Sequence, residues 1–169
     1  MKKTITMFTV AAAMLFAGVS AKAAVKGFAV KGPVSSAPSK APAGGGSGLT
    51  ITSVLTGTFE GIDPQYGAGF VAVPYPQNTI AAGASIVSTC QMQDNFFSGA
   101  PTVNYVLIQG GAVVQSASVT FPFDLVPNEE ALAYFPDTAP STTGPATIVM
   151  EVLDGTKVVG TSTVNIFIY

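Results

Sequence analysis

The fold is decided by the stretch Thr147-Ile-Val-Met-Glu-Val-Leu-Asp-Gly-Thr-Lys-Val-Val-Gly-Thr-Ser-Thr-Val-Asn-Ile-Phe-Ile168 near the C-terminus. Both halves alternate between apolar and polar residues, which is typical of strands with one face turned towards a core. Between the halves, Asp154-Gly155 supplies the residues with positive φ that a tight turn requires. The stretch therefore predicts a β-hairpin whose inward face carries Ile148, Met150 and Val152, followed by Val164, Ile166 and Ile168.

Similar runs extend back to Leu49 and are separated by clusters of Gly, Pro, Asn and Asp. They predict short strands, and Gly110-Gly111 predicts a second hairpin turn. No window predicts a long amphipathic helix, although Pro127–Glu130 has the composition of one helical turn. The sequence thus predicts an all-β protein. Its expected strands are Leu49–Val54 with an extension to Phe59, Gly69–Val73, Ala84–Asp94, Thr102–Ile108, Val113–Phe121, Ala131–Tyr134, Thr147–Leu153 and Lys157–Ile168.

Three segments carry a resemblance to a known class of module. They are Ala81-Ala-Gly-Ala-Ser85, Asn104-Tyr-Val-Leu-Ile-Gln-Gly110 and Gly144-Pro-Ala-Thr-Ile-Val-Met-Glu-Val-Leu-Asp-Gly155. Together they resemble bacterial immunoglobulin-like and fibronectin type III-like modules. The resemblance implies an immunoglobulin-like β-sandwich of about seven to eight antiparallel strands. It also implies that Cys90 lies where antibody domains carry the first Cys of their disulfide, with Met150 a candidate for the second position.

The N-terminal residues 1–23 have the pattern of a secretory signal peptide. Lys2 and Lys3 precede an apolar run, and Ala21-Lys-Ala23 supplies the small residues of a cleavage site. The pattern predicts cleavage between Ala23 and Ala24. An uncleaved anchor is the alternative, but the apolar run is shorter than the roughly 20 residues that a bilayer core needs. The mature chain is therefore expected in the periplasm, at the cell surface or in the extracellular space.

Residues 24–48 differ in composition from the predicted sandwich domain, 49–169. They begin with a tandem repeat, Ala24-Val-Lys-Gly-Phe28 and Ala29-Val-Lys-Gly-Pro33, and continue with mostly Ser, Ala, Pro, Gly and Lys. Such a segment buries little apolar surface, so it is expected to be a flexible tether. Alternatively, the repeat is an extended strand that docks elsewhere, with donor residues Val25, Phe28 and Val30. An architecture in which such a strand completes the sheet of a neighbouring copy resembles that of surface-fibre subunits.

Charge and composition exclude several classes of function. The chain has no His, no Arg and no Trp, and beyond Leu49 only Lys157 opposes nine acids. An acidic body without Arg is poorly suited to phosphates, so nucleic acid is not an expected partner, and anionic lipid surfaces are disfavoured. Nucleophilic triads and the usual zinc, copper and haem sites require His or several Cys. We therefore expect no catalytic, cofactor-binding or metal-binding residue, and a protein that is not an enzyme.

The acids leave two alternatives open. The groups are Glu60-Gly-Ile-Asp63 and the set Asp124, Glu129, Glu130 and Asp137. Loop carboxylates are ligands that Ca²⁺ prefers, and paired carboxylates serve glycoside hydrolysis. Solvated surface charge is the interpretation that we favour for both groups.

One thiol and several aromatic residues are the remaining candidates. Alternation places Cys90 on one face with Ile86 and Met92, which indicates a small buried side chain. A free thiol that forms an intermolecular disulfide is the alternative. Aromatic residues beside Gly and Pro are typical of partner surfaces, although they also cap the ends of sandwiches. The partner-contact candidates are Phe96, Phe97, Tyr66, Phe70 and Tyr75.

Taken together, these features predict an exported, non-catalytic structural or protein-interaction module, such as a surface-fibre or adhesin-like subunit. A protein partner or self-assembly is expected, with no integral membrane segment after cleavage. The alternatives are a small outer-membrane β-barrel and a small secreted hydrolase that uses carboxylates.

Overall fold

A computed structural model describes residues 27–34, 48–62, 72–76, 78–94, 99–126 and 128–169. These residues form ten β-strands, and none of them lies in a helix. The strands are β1 (Phe28–Val34), β2 (Leu49–Ile62), β3 (Ala72–Pro76), β4 (Thr79–Ile80), β5 (Ser85–Asp94), β6 (Thr102–Gln109), β7 (Ala112–Thr120), β8 (Glu129–Thr138), β9 (Gly144–Asp154) and β10 (Lys157–Ile168).

The strands form two five-stranded sheets. The first sheet has the order β1-β8-β5-β2-β3, and the second has the order β4-β10-β9-β6-β7. All pairings are antiparallel except that between β4 and β10, which is parallel. The prediction of an all-β sandwich is confirmed.

The core lies between the two sheets and is built by the alternation that the sequence shows. Ile148, Met150 and Val152 of β9 are buried, whereas Thr147 and Val149 on the opposite face are half-buried; Glu151 on that face is buried as well. The inward face of β5 carries Ile86, Cys90 and Met92, as predicted. The largest fully buried side chains come from both sheets and from the connection after β7, and they include Tyr105, Phe121, Phe135, Leu107 and Ile168.

Two hairpin turns follow from glycines with positive φ. Gly110 and Gly111, with φ of 60° and 78°, form the two-residue loop between β6 and β7 that their sequence predicts. At the second hairpin, Asp154 pairs with Lys157, so the loop is Gly155-Thr156 rather than Asp154-Gly155. Of these two loop residues only Gly155 has a positive φ. A type II′ turn, with glycine at the first central position, requires a positive φ at that position alone.

Several strand boundaries differ from the prediction. The helical turn expected at Pro127–Glu130 is wrong for Glu129 and Glu130, because both residues are paired within the first sheet as the start of β8. β2 continues past Phe59 to Ile62, and β3 begins three residues after the predicted Gly69. β4 was not predicted, since two residues carry no periodicity.

The first sheet begins earlier in the chain than Leu49. Residues 28–34, within the segment predicted to be a tether, form β1 and pair with β8. Paired backbone is ordered by its neighbour, so the tether prediction is wrong for these seven residues. The rest of the tether and the signal-peptide prediction, 1–23, lie outside the described residues. Where the structure describes the chain, no helix has the length and hydropathy needed to span a membrane.

Candidate interaction surface: the β1–β8 seam

An extended segment is held on the edge of the first sheet at the β1–β8 seam, which we define as Phe28–Val34 and Glu129–Tyr134. Phe28 pairs with Tyr134 and Lys31 with Ala131 in regular antiparallel register. The register is interrupted between Lys31 and Val34. Pro33 lies in the interruption, and proline has no N–H to donate to a ladder. Backbone pairing therefore fixes β1 mainly over Phe28–Lys31.

An aromatic stack covers the outer face of this seam. The rings of Phe28 and Tyr134 have centroids 5.0 Å apart with an interplanar angle of 18°. Phe28 remains 44% exposed, so the stack shields only part of each ring. Partial burial raises the pKa of Tyr134. The stack adds side-chain specificity to the backbone pairing of the two strands.

An ion pair joins β1 to the first residue of β8, and a hydrogen bond joins it to the chain before β8. Lys31 Nζ lies 3.4 Å from Glu129 Oε1, and it donates to the carbonyl oxygen of Asp124 at 3.1 Å. The same ammonium lies 4.9 Å from the centroid of the Phe123 ring. Glu129 is 4% exposed, and its Oε2 accepts the Val126 N–H at 2.9 Å. A carboxylate this buried needs a counter-charge, and Lys31 supplies it.

A glycine allows the chain to enter the seam. A Cβ at Gly27 would lie 2.5 Å from Phe135 Cε1 and 2.9 Å from Val119 Cβ. Phe135 is fully buried and stacks on Tyr105 with centroids 5.2 Å apart, so its ring has little freedom to move. Position 27 therefore accepts only a residue without a side chain.

Inside the sandwich, polar side chains form a second cluster near the seam. Tyr105 Oη donates to Asp137 Oδ2 at 3.2 Å, and Gln115 Nε2 donates to Asp137 Oδ1 at 3.1 Å. Thr56 Oγ1 and Ser88 Oγ are 2.9 Å apart and are both buried. Burial raises the pKa of Asp137, against the hydrogen bonds from the Thr138 N–H and Tyr105. The two bonds to Asp137 join β8 of the first sheet to β6 and β7 of the second, and the Thr56–Ser88 contact joins β2 and β5 within the first sheet, so the cluster is structural.

Tyr105 and Cys90 are the buried groups with the largest changes in acidity. Burial, and then the charge of Asp137, raises the pKa of Tyr105 well above its ordinary value. Burial alone raises the pKa of Cys90 to about 12. Cys90 is free and fully buried in the core. The thiol is therefore protonated and inaccessible in the folded chain.

The structure accounts for some of the predicted site residues. Phe28 lies in the seam, and Val30 and Tyr75 lie on β1 and β3. Among the acids, Glu129 binds Lys31, Glu130 Oε2 accepts from Gln91 at 3.0 Å, and Asp137 lies in the polar cluster. No group of three or more metal-ligating side chains occurs within the described ranges. The candidates outside the described residues are Val25, Asp63, Tyr66, Phe70, Phe96 and Phe97.

Sequence reasoning missed the pairing of Lys31 with Glu129 and the steric role of Gly27. The two charged residues are 98 positions apart, so no local pattern connects them. Their one signal is scarcity, because Lys31 and Lys157 are the only cationic side chains in the part of the chain that the structure describes.

Comparison with known proteins gives likenesses of fold only. No protein-family model matches the chain, and no curated protein matches its sequence. Among solved structures, the CARDB domain of a Pyrococcus furiosus protein aligns with 11% identity and a TM-score of 0.42, over 70% of this chain and 90% of that one. An immunoglobulin-like protein from Pseudomonas aeruginosa aligns with 14% identity and a TM-score of 0.38, over 75% and 100%. A β-glucosidase from Listeria innocua aligns with 9% identity and a TM-score of 0.41, over 69% of this chain but 16% of that one.

Proposed function

We propose that this chain is an exported, non-catalytic module that acts by protein contact in the bacterial envelope or outside the cell. The observation that carries the proposal is the β1–β8 seam. There the sandwich binds an extended strand through backbone pairing, the Lys31–Glu129 ion pair and the Phe28–Tyr134 stack. Strand addition of this kind is a general mode of protein recognition.

The state of the reactive groups supports a role in contact rather than in chemistry. The thiol of Cys90 is buried and has a pKa of about 12, which removes the strongest nucleophile from use. Asp137 is hydrogen-bonded to Tyr105 and Gln115 inside the sandwich. Glu129 is neutralised by Lys31 at the seam. Cys90 is thus part of the core, and the carboxylates of Asp137 and Glu129 are each bound by other side chains of the chain.

The export part of the proposal is supported by the sequence of residues 1–23. In a surface-fibre or adhesin-like subunit, the domain must first leave the cytoplasm and then bind its neighbours. A single buried Cys suits that route, because an oxidising compartment offers this chain no internal disulfide to form.

The test is to express the full chain in a Gram-negative host and to measure its location and mass. We expect a product in the periplasmic or extracellular fraction whose mass corresponds to residues 24–169. Replacing Leu15 with Arg in the apolar run should retain the full-length chain in the cytoplasm. As the matched control, Leu153→Arg adds the same charge far from the leader and should leave cleavage intact. Full-length wild-type chain in the cytoplasm would refute the proposal.

A further inference from the structure

The two sheets have four edge strands, and two of them carry residues that disfavour pairing with another chain: β1 carries Lys31 and Pro33, and β3 carries Pro74 and Pro76. Within the described residues β4 pairs only with Phe167 and Ile168, so Lys157–Ile166 of β10 is also an open edge, but it begins with a lysine and its pairing with β9 is irregular between Val158 and Gly160. Charged side chains, prolines and short length are the means by which proteins protect sheet edges. The fourth edge, β7, is nine residues long and has neither a charge nor a proline.

The free edge of β7 is regular over most of its length. An irregularity in its pairing with β6 lies between Gln115 and Val113, which leaves Gln115–Thr120 in regular register. In the described part of the chain β7 pairs with β6 alone. β1 approaches it at Gly27 and Val119 without forming a ladder. The outward backbone groups of this run are therefore a template for another strand.

The small side chains of β7 suit a second copy of the same strand. Ser116 and Ser118 face outwards on the second sheet, beside Val106 and Asn104 of β6. In an antiparallel pair around a two-fold axis, residue i of one copy faces residue j of the other and j faces i, so the residues of β7 face one another. Serines and alanines at the centre of such a pair bring no bulk and no like charges together.

The absence of charge on β7 is compatible with pairing between two acidic copies. Beyond Leu49, one lysine opposes nine acids, so two copies repel each other over most approaches. β7 contributes no charged residue to an interface. Pairing along β7 therefore brings no charged side chains of the two strands opposite each other, although Asp137 lies beside Gln115.

We propose that β7 pairs antiparallel with β7 of a second copy of this chain, which joins the two second sheets into one continuous sheet. The proposal rests on the proposed function and deepens it, because it names the partner and the strand that binds it. The interface is isologous, so it produces a closed dimer.

The test uses the protein purified after export, in two variants of matched design. The variant Ser116→Lys/Ser118→Lys and the variant Ser116→Glu/Ser118→Glu place like charges across the two-fold axis, whichever residue lies on it. In sedimentation velocity, we expect a wild-type dimer and two variants whose dissociation constants are raised on the order of 10- to 100-fold. An equimolar mixture of the two variants should restore the dimer, because opposite charges then face each other.

The control is Thr161→Lys/Thr163→Lys, which adds the same charge at exposed positions of the competing open edge, where β10 pairs with β9 alone. It should dimerise as the wild type does, and circular dichroism should show that all variants fold. A wild-type chain that stays monomeric at 100-fold the concentration of the assay would overturn the proposal. So would lysine variants that still dimerise, or wild-type β7 that binds an unrelated extended peptide and not itself. A monomer that is exported and cleaved would leave the proposed function standing and remove this inference alone.

Discussion

Lys31 on β1 and Glu129 on β8 form an ion pair across the edge of the first sheet, with 3.4 Å between Nζ and Oε1. The two partners differ in exposure: the Lys31 side chain is 44% exposed and the Glu129 side chain is 6% exposed. The ammonium reaches the buried carboxylate from the solvent side. The ion pair therefore stabilises β1 on the sheet in addition to the backbone hydrogen bonds, which any extended segment can form.

The first prediction concerns this pair. Lys31→Met keeps the aliphatic stem and removes the charge, which leaves the buried Glu129 carboxylate without its counter-charge. We expect the free energy of unfolding to fall by roughly 1–3 kcal/mol, which is below the value for a fully buried pair because Lys31 is partly solvated. Urea denaturation measures the loss. Lys157→Met, at an exposed turn, is the control and should change stability by less than about 0.5 kcal/mol.

The double variant Lys31→Met/Glu129→Gln separates the pair from other effects of the substitutions. Removing both charges leaves no uncompensated carboxylate, so the double variant should be more stable than the sum of the single losses implies. Strict additivity of the two losses would show that Lys31 and Glu129 do not interact in solution.

The second prediction concerns the entrance to the seam. In Gly27→Ala, the added methyl group meets the buried Phe135 ring and the chain before β1 must move outwards. We expect the free energy of unfolding to fall by roughly 1–3 kcal/mol. Amide hydrogen exchange in β1 should be faster than in wild type, whereas exchange in β9 should change less. Phe135→Leu in the same chain opens space at the site and should slow the exchange of β1 again. Unchanged exchange in Gly27→Ala would contradict the close approach.

The sequence predicts the strands whose residues alternate, and it fails where order comes from distant partners. Ile148, Met150 and Val152 show their inward face in the sequence because side chains of a strand point alternately to its two sides. β1 shows only the short alternation of Phe28 and Val30, which suggests an extended strand as the alternative to a tether. Gly32 and Pro33 interrupt it, and the strand that it pairs with in the described part of the chain, β8, lies about a hundred residues away. The composition of this segment does predict a tether, but pairing with the edge of β8 orders Phe28–Val34, which would not be ordered alone.

The site follows the same division. The face of Cys90 is predicted correctly, because its neighbours on β5 establish it locally. The partner of Lys31 and the contact at Gly27 depend on the packing of two sheets, which local patterns do not contain.

The third prediction concerns pH. Burial raises the pKa of Asp137 in the folded chain, so the folded state holds this proton more tightly than the unfolded state does. The contribution of Asp137 to stability is therefore largest below its unfolded pKa of about 3.9 and declines as pH rises through the folded pKa. Asp137→Asn removes this decline. The stability of the variant relative to wild type should increase from about pH 4 upwards in denaturation series, and a constant difference would contradict the prediction.

The fourth prediction concerns Cys90. With its pKa at about 12 and no exposed surface, the thiol should not react with iodoacetamide at pH 8 while the chain is folded. Mass spectrometry should show no added carbamidomethyl group in the native protein and one in urea. As pH rises above about 8.5, the unfolded thiol ionises while the folded thiol stays protonated, so the folded chain should lose stability. Cys90→Ala should remove that alkaline loss, at the cost of a small cavity beside Met92 and Ala133. Rapid labelling of native protein would show that β5 opens towards solvent, and would return Cys90 to the candidates for an intermolecular disulfide.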